Sequence, residues 1–157
     1  MTKPGSVCDE PIMTMDLYPT LVDVSGVAGD AQHNAEMDGV SFKPLLVDSK
    51  ASLKRDLFWH FPHYHAGGDS PYTAVRSGAW RLIEFHEDGA LELYDLSVDI
   101  GETKNLAQSN ADVTGRLHRA MQQWREDVGA QMPTPNPKHD PEREMDGPKK
   151  GKGKEQP

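Results

Sequence analysis

The chain has 157 residues, with 17 Lys and Arg against 25 Asp and Glu, so its formal charge is −8 with histidine neutral; that length suits one domain. No apolar run exceeds three residues, as in Leu45 to Val47 or Leu57 to Trp59, which excludes a transmembrane helix or signal-peptide apolar region and predicts a soluble chain without an export signal. The acidic balance argues against generic nucleic-acid binding, and a single cysteine, Cys8, excludes an intrachain disulfide or a cysteine-cluster zinc site.

Residues 1–12 carry Pro4, Gly5 and Pro11 without periodicity and read as an extended lead-in. Residues 13–50 read as a helix followed by a loop. Leu17, Leu21, Val24 and Ser25 recur at helical spacing. Asp16 is the N-cap candidate, because it places Pro19 in the third helical position, where a missing N–H costs no hydrogen bond. Gly26 is a natural terminator. The loop from Gly29 to Gly39 ends in Met37-Asp38-Gly39-Val40, and a short amphipathic turn covers Ser41 to Val47.

Residues 51–132 read as an antiparallel sheet plus a helix. Four segments rich in aromatic and branched residues predict strands: Arg55 to Phe61, Tyr72 to Ser77, Trp80 to Phe85 and Leu91 to Leu96. The short glycine-bearing connections Ser77-Gly78-Ala79 and His86-Glu87-Asp88-Gly89-Ala90 make the last three a meander. Alternation within them predicts one buried face. Its cover is a helix with the stripe Val113, Leu117, Ala120, Met121, Trp124 and Val128, capped by Ser109 or Asn110 and by Gly129, with Arg116, Arg119 and Arg125 on its polar side. At 1.5 Å per residue, about 18 residues span about 27 Å, enough to cross four strands. The fold class is α+β. Residues 133–157 hold six of the 12 prolines and no large apolar residue beyond Met145. This composition predicts a disordered tail, with Lys149, Lys150, Lys152 and Lys154 free to meet solvent or an anion.

The densest set of reactive side chains is Trp59-His60-Phe61-Pro62-His63-Tyr64-His65, leading into Gly67-Gly68-Asp69. Pro62 breaks the strand before His63, so three imidazoles fall on a bend. Three readings remain open: a metal site, a contact site for an anion or sugar, and a histidine cluster without a role. Extended two-residue steps fix no tetrahedral geometry, and neither a cysteine ligand nor an HExxH motif accompanies them. No metal ligands are therefore assigned. Rings that stack beside imidazoles that donate suit a polar, partly cyclic ligand. Arg76 and Arg81, in adjacent strands, suit bidentate contact with sulfate or carboxylate, or else pair with Glu84 or Glu92 at the surface.

The succession Asp16-Leu17-Tyr18-Pro19-Thr20-Leu21, Met37-Asp38-Gly39-Val40-Ser41 and Leu57-Phe58-Trp59-His60-Phe61-Pro62-His63-Tyr64 resembles the C-terminal part of a sulfatase. It continues in the same style through Ala74-Val75-Arg76-Ser77-Gly78-Ala79-Trp80-Arg81-Leu82-Ile83, Glu92-Leu93-Tyr94-Asp95-Leu96 and Asp99-Ile100-Gly101-Glu102-Thr103-Lys104-Asn105-Leu106-Ala107. The resemblance covers roughly Pro11 to Pro137 and points to the arylsulfatase-like branch of the alkaline phosphatase superfamily. It implies a large N-terminal α/β catalytic domain. It also implies a smaller C-terminal subdomain, a four-stranded antiparallel sheet with a long helix, and makes the first helix a remnant of the parent α/β domain, so that Met1 to Glu10 reads as an internal start.

The same resemblance implies a Cys/Ser-x-Pro-x-Arg motif oxidised to formylglycine, and a calcium ion held by Asp, Asp, Asp and Asn, including an Asp-Asp and an Asp-Asn pair. Cys8 stands in Cys8-Asp9-Glu10-Pro11-Ile12, with proline one place late and no arginine. In Pro141-Glu142-Arg143, His139 stands where the nucleophile belongs, and neither acidic dipeptide occurs. A hard cation needs six or more oxygens on rigid positions, which Asp9, Asp16, Asp23, Asp30 and Asp38 do not predict. No catalytic residue is therefore expected here. The expectation is a sulfuric ester hydrolase fragment, inert alone, whose calcium and formylglycine belong to a missing or separately encoded N-terminal part. The alternative is a stand-alone module binding sulfated or acidic sugars through the histidine loop. In either case His60, His63, His65 and Arg76 are the expected contacts to a sulfated small molecule or polysaccharide, with neither nucleic acid nor membrane as a partner. Full-length relatives are commonly exported to the periplasm or outside the cell, so the resemblance leaves localisation open.

Overall fold

The structure is a computed structural model that describes residues 2–64 and 70–137. His65 and most of the predicted tail, residues 138–157, lie outside the described residues. The chain divides into two compact units, Met1–Arg55 and Asp56–Pro157. Among the described residues no helix is long and apolar enough to cross a membrane.

The first unit is built around a buried carboxylate. A single 3-10 turn, Thr14–Asp16, runs into α1, Leu17–Ser25. Gly26 ends α1 in the left-handed region (φ 71°), its N–H reaching Val22 O at 3.1 Å. Asp16 holds the N-cap position but, contrary to the expectation, its side chain does not cap α1. Fully buried, it turns away: Oδ2 accepts the Met13 N–H at 2.7 Å, and Oδ1 accepts the Val40 N–H at 3.0 Å and Arg55 Nη1 at 2.8 Å. Arg55 Nη2 completes a bidentate pair with Oδ2. Burial alone would raise the Asp16 carboxyl, but the hydrogen bonds from Arg55, Met13 and Val40 outweigh it and hold the group below the usual carboxylate range.

The loop that Asp16 holds comes close for a second reason. A Cβ on Gly39 would lie 2.1 Å from the Met15 carbonyl oxygen, so only glycine fits. Thr20 adds a further tie, donating to Asp16 O at 2.6 Å and accepting the Phe42 N–H at 2.9 Å. The stretch read as loop also contains a helix, α2 (Ala31–Ala35), capped by Asp30, whose Oδ1 accepts the His33 N–H at 2.8 Å. Five residues with polar Gln32, His33 and Asn34 give periodicity nothing to detect. The amphipathic turn is α3, Lys43–Val47, which buries Leu45.

In the second unit β1 (Asp56–Phe61), β2 (Tyr72–Ser77), β3 (Trp80–Phe85) and β4 (Leu91–Asp95) form a four-stranded antiparallel sheet in chain order. The register Phe58↔Val75, Val75↔Leu82 and Leu82↔Leu93 lines apolar residues across one face. Against it packs α4, Ala111–Asp127. Val75, Leu82, Leu93, Leu117 and Met121 form the dry centre, and Phe58 and Val113 pack at its border. Phe58 stacks on Trp124, with centroids 4.9 Å apart and planes 2° from parallel.

Four expectations need correction. Val128 falls past the last helical turn and is 55% exposed. Arg125 is not on the polar side: its guanidinium lies 2.8 Å from Glu84 on the sheet, largely buried. Arg81 pairs with Glu102, not with Glu84 or Glu92. The opposite sheet face is not simply exposed either, since Ala74, Ile83 and Tyr94 are buried there. Tyr94 donates to Glu92 Oε2 at 2.7 Å, and burial first, then that bond and the neighbouring acids, push its hydroxyl up to about 12.

Candidate functional site

Strand parity decides where the expected site residues stand. Phe58 and His60 alternate onto the helix-covered face, whereas Arg76 stands on the opposite one. His60 is half-buried near Trp124, with ring centroids 6.5 Å apart, and both its ring nitrogens are engaged. Nε2 lies 2.8 Å from Gln131 O and Nδ1 lies 2.8 Å from Thr73 Oγ1. A carbonyl can only accept, so Nε2 carries the proton and, in the neutral ring, Nδ1 accepts from the Thr73 hydroxyl. Thr73 Oγ1 in turn lies 2.9 Å from His86 Nε2, which donates to it. The result is a directional chain from His86 through buried Thr73 and His60 to the backbone beyond α4. Burial first, and then the positive charge of Arg125, hold the His86 imidazole below its ordinary value.

His63 is exposed and packs on the Phe61 ring at 4.1 Å. Tyr64, next in sequence, donates its hydroxyl to Glu87 Oε1 at 2.6 Å, while Ser70 donates to Glu87 Oε2 at 2.9 Å. One carboxylate in the β3–β4 turn thus ties residues on both sides of the undescribed segment that includes His65. Beside it lies a cavity of about 620 Å³ bounded by Tyr64, Pro71, His86, Glu87 and the stretch Pro133 to Asn136.

On the other sheet face, Arg76 pairs in register with Arg81. Its Nε donates to Gly78 O at 3.3 Å, and its Nη atoms have no partner among the described residues. Glu102 neutralises Arg81. Trp59, Tyr72, Arg76 and Arg81 contribute to a second cavity of about 380 Å³. The structure therefore brings His60 close to His86, with ring centroids 5.6 Å apart, and sets Arg76 on the far face.

Thr73, His86, Glu87 and Gln131 escaped the sequence reading. His86-Glu87 was legible as a hairpin turn, and its five-residue connection was the available signal. Which residues of other strands it faces depends on the register, and the ten residues from Pro62 to Pro71 hide the β1–β2 register.

The described residues fit neither group that the resemblance implies. Asp16 is consumed by Arg55 and two backbone N–H groups. Asp23 is held by Lys43 and Ser41, and Asp30 caps α2. These carboxylates are taken one by one and form no oxygen cage. Cys8 is an exposed thiol outside the motif that formylglycine formation requires. Among the described residues, no group of three or more His, Cys, Asp or Glu is placed to hold a metal ion.

Comparison with known proteins agrees with the architecture. A sulfatase of Formosa agariphila is 31% identical over 134 residues, covering 77% of this chain and 24% of the relative. The Delta 4,5-hexuronate-2-O-sulfatase of Bacteroides thetaiotaomicron is 34% identical over 98 residues, covering 60% and 19%. Mouse arylsulfatase K is 26% identical over 117 residues, covering 70% and 20%. The chain thus spans a quarter or less of the length of these relatives. A protein solved in complex with its substrate D-glucosamine-2-N,6-O-disulfate shares the fold, with a TM-score of 0.67 at 23% identity over 84% of this chain and 27% of its own. A 2-O GAG sulfatase matches at TM-score 0.56 and 28% identity over 73% of this chain and 25% of its own. The family described as N-sulphoglucosamine sulphohydrolase, C-terminal, matches residues 1–127, and the sheet with its covering helix is the corresponding subdomain, so the chain belongs to that family and is a C-terminal sulfatase part.

Proposed function

We propose that the chain serves as the C-terminal part of a sulfuric ester hydrolase, shapes recognition of a sulfated saccharide, and is inert by itself. One observation carries this reading: a family match over residues 1–127 in a sequence without a Cys/Ser-x-Pro-x-Arg motif. An activated nucleophile and preorganised electrostatics supply most of such a rate enhancement. Neither can be built from the residues described. A catalytic portion carrying formylglycine and calcium is the proposed partner. The saccharide class is supported by relatives named as hexuronate and N-acetylglucosamine sulfatases.

Within that reading His63 contacts the substrate directly, and His65, two positions on in the sequence, is a further candidate contact. His60 has a supporting role, since both its nitrogens are engaged. Arg76, whose Nη atoms have no partner among the described residues on the far face, is a separate contact for an anionic group. The test is kinetic, in an enzyme rebuilt from this chain and the polypeptide encoded immediately upstream. His63→Ala should raise KM for a sulfated saccharide about tenfold, the loss of one charge-assisted hydrogen bond, and leave kcat for a small aryl sulfate unchanged. An equal fall in kcat for both substrates would overturn the recognition role. Saccharide binding without any hydrolysis by the rebuilt pair would favour the stand-alone binding module.

A further inference from the structure

We propose that the cavity between Tyr64, Pro71, His86, Glu87 and Pro133 to Asn136 is a subsite for the uncharged, hydroxyl-bearing face of a saccharide, and that it draws no affinity from sulfate. The inference rests on the reading of the chain as a saccharide-recognising sulfatase part, and it places the neutral portion of the ligand. At about 620 Å³, the cavity has the size of a small-molecule site.

Its charge has the wrong sign for an anion. Among the described lining residues there is no Lys or Arg, and Glu87 is the one carboxylate. A sulfate seated here would meet a like charge, whereas sulfate sites are built from arginine, lysine or backbone N–H donors. Backbone donors are also depleted, because Pro71, Pro133 and Pro135 in the wall have no N–H. The one imidazole adds no compensating cation. His86 is committed to Thr73 through Nε2, and its lowered pKa keeps the ring neutral at neutral pH. Arg125 is nearby, but it is already paired with Glu84 at 2.8 Å.

What the cavity offers instead is acceptors beside apolar surface. Each Glu87 oxygen accepts one bond, from Tyr64 or Ser70, which leaves further lone-pair capacity on both. Sugar hydroxyls are donors that such a carboxylate can take in pairs. The Tyr64 ring and the prolines give the C–H face of a pyranose a surface to pack on. Composition alone suggests an anion site at three histidines. The structure puts beside Tyr64 a hollow whose described lining is rich in acceptors and holds no Lys or Arg.

The test is amide chemical-shift titration of the full chain with N-acetylated chitotetraose and with its 6-O-sulfated form. Both probes should perturb His86, Glu87 and Thr134 with affinities within about threefold of each other, and Glu87→Ala should weaken both about tenfold, as expected for losing hydrogen bonds to a charged acceptor. Glu87→Gln, which keeps an acceptor oxygen, should recover most of that loss. Retained spectral dispersion in both variants excludes unfolding as the cause. Tenfold tighter binding of the sulfated form at these amides, perturbation that bypasses them, or indifference to Glu87→Ala overturns the proposal. Recognition of the sulfated group is tested separately, at His63. A sulfate-dependent shift at His63 without effect at Glu87 would retain sulfatase-type recognition and reject this subsite. Neutral-sugar binding at Glu87 with a silent His63 would do the reverse.

Discussion

The two units of the chain are held by opposite kinds of interaction. Residues Met1–Arg55 centre on a buried polar anchor, the Asp16 carboxylate with Arg55, Met13 and Val40. The unit Asp56–Pro157 centres on a dry layer of Val75, Leu82, Leu93, Leu117 and Met121. The contrast shows how the two kinds of centre fail. An apolar layer loses stability in proportion to the volume removed, whereas a buried ion pair fails as a unit when one partner leaves the other unpaired.

The largest effect that would sharpen this comparison is expected at Asp16. Asp16→Ala leaves Arg55 and two loop N–H groups without their acceptor and should cost about 3 to 5 kcal/mol. Amide exchange at Met13 and Val40 should rise with it. Unchanged protection there would show that the carboxylate is not the anchor. In the other unit, Leu117→Ala removes a fully buried side chain and should cost about 2 to 5 kcal/mol. Trp124→Ala, only half-buried but stacked on Phe58, should sit near the lower edge of the aromatic range, at about 3 kcal/mol. Urea titration followed by circular dichroism checks both. Either variant unfolding with the parent would place the core elsewhere.

These two centres also differ in how far the sequence betrays them. The stripe Leu117, Met121 and Trp124 and the aromatic strands repeat at helical and strand periods, so the sheet and its covering helix were legible, β2 and β3 to the residue. Asp16 read as an N-cap because an aspartate before a helix usually is one. Two of its three partners, Val40 and Arg55, lie 24 and 39 residues away, a distance at which no local pattern speaks. The same limit hid Arg125 under the helix and His86 and Glu87 beside the histidine loop. A side chain's partner across a sheet depends on register, and register depends on loops whose length varies freely. Helix α2 was missed for a different reason, having polar residues where an amphipathic helix would show an apolar stripe.

A smaller effect is expected from Gly39→Ala, whose Cβ would meet the Met15 carbonyl at 2.1 Å. Backbone must shift, at a cost of about 1 to 3 kcal/mol. A melting temperature equal to the parent's would mean that the loop is not held against the turn before α1.

The smallest effects are those of pH. The Asp16 and His86 pKa values are both depressed in the folded chain, so in each case the unfolded state binds the proton more readily. The contribution of His86 is fully present above its unfolded value of about 6.5 and falls as acid takes pH below it. That of Asp16 is present above about 3.9 and is lost on further acidification. Melting temperature should therefore decline between pH 7 and pH 5.5, and His86→Gln should flatten that decline. A parent protein stabilised over this interval would reverse the sign and place a favourable partner, not burial, around His86.

If, as proposed, this chain supplies recognition to a sulfatase without supplying its chemistry, the purified chain with calcium present should release aryl alcohol from a small aryl sulfate no faster than buffer alone. Release above that background that disappears in Cys8→Ala or His63→Ala would contradict it, because the nucleophile or its activation would then reside in these residues.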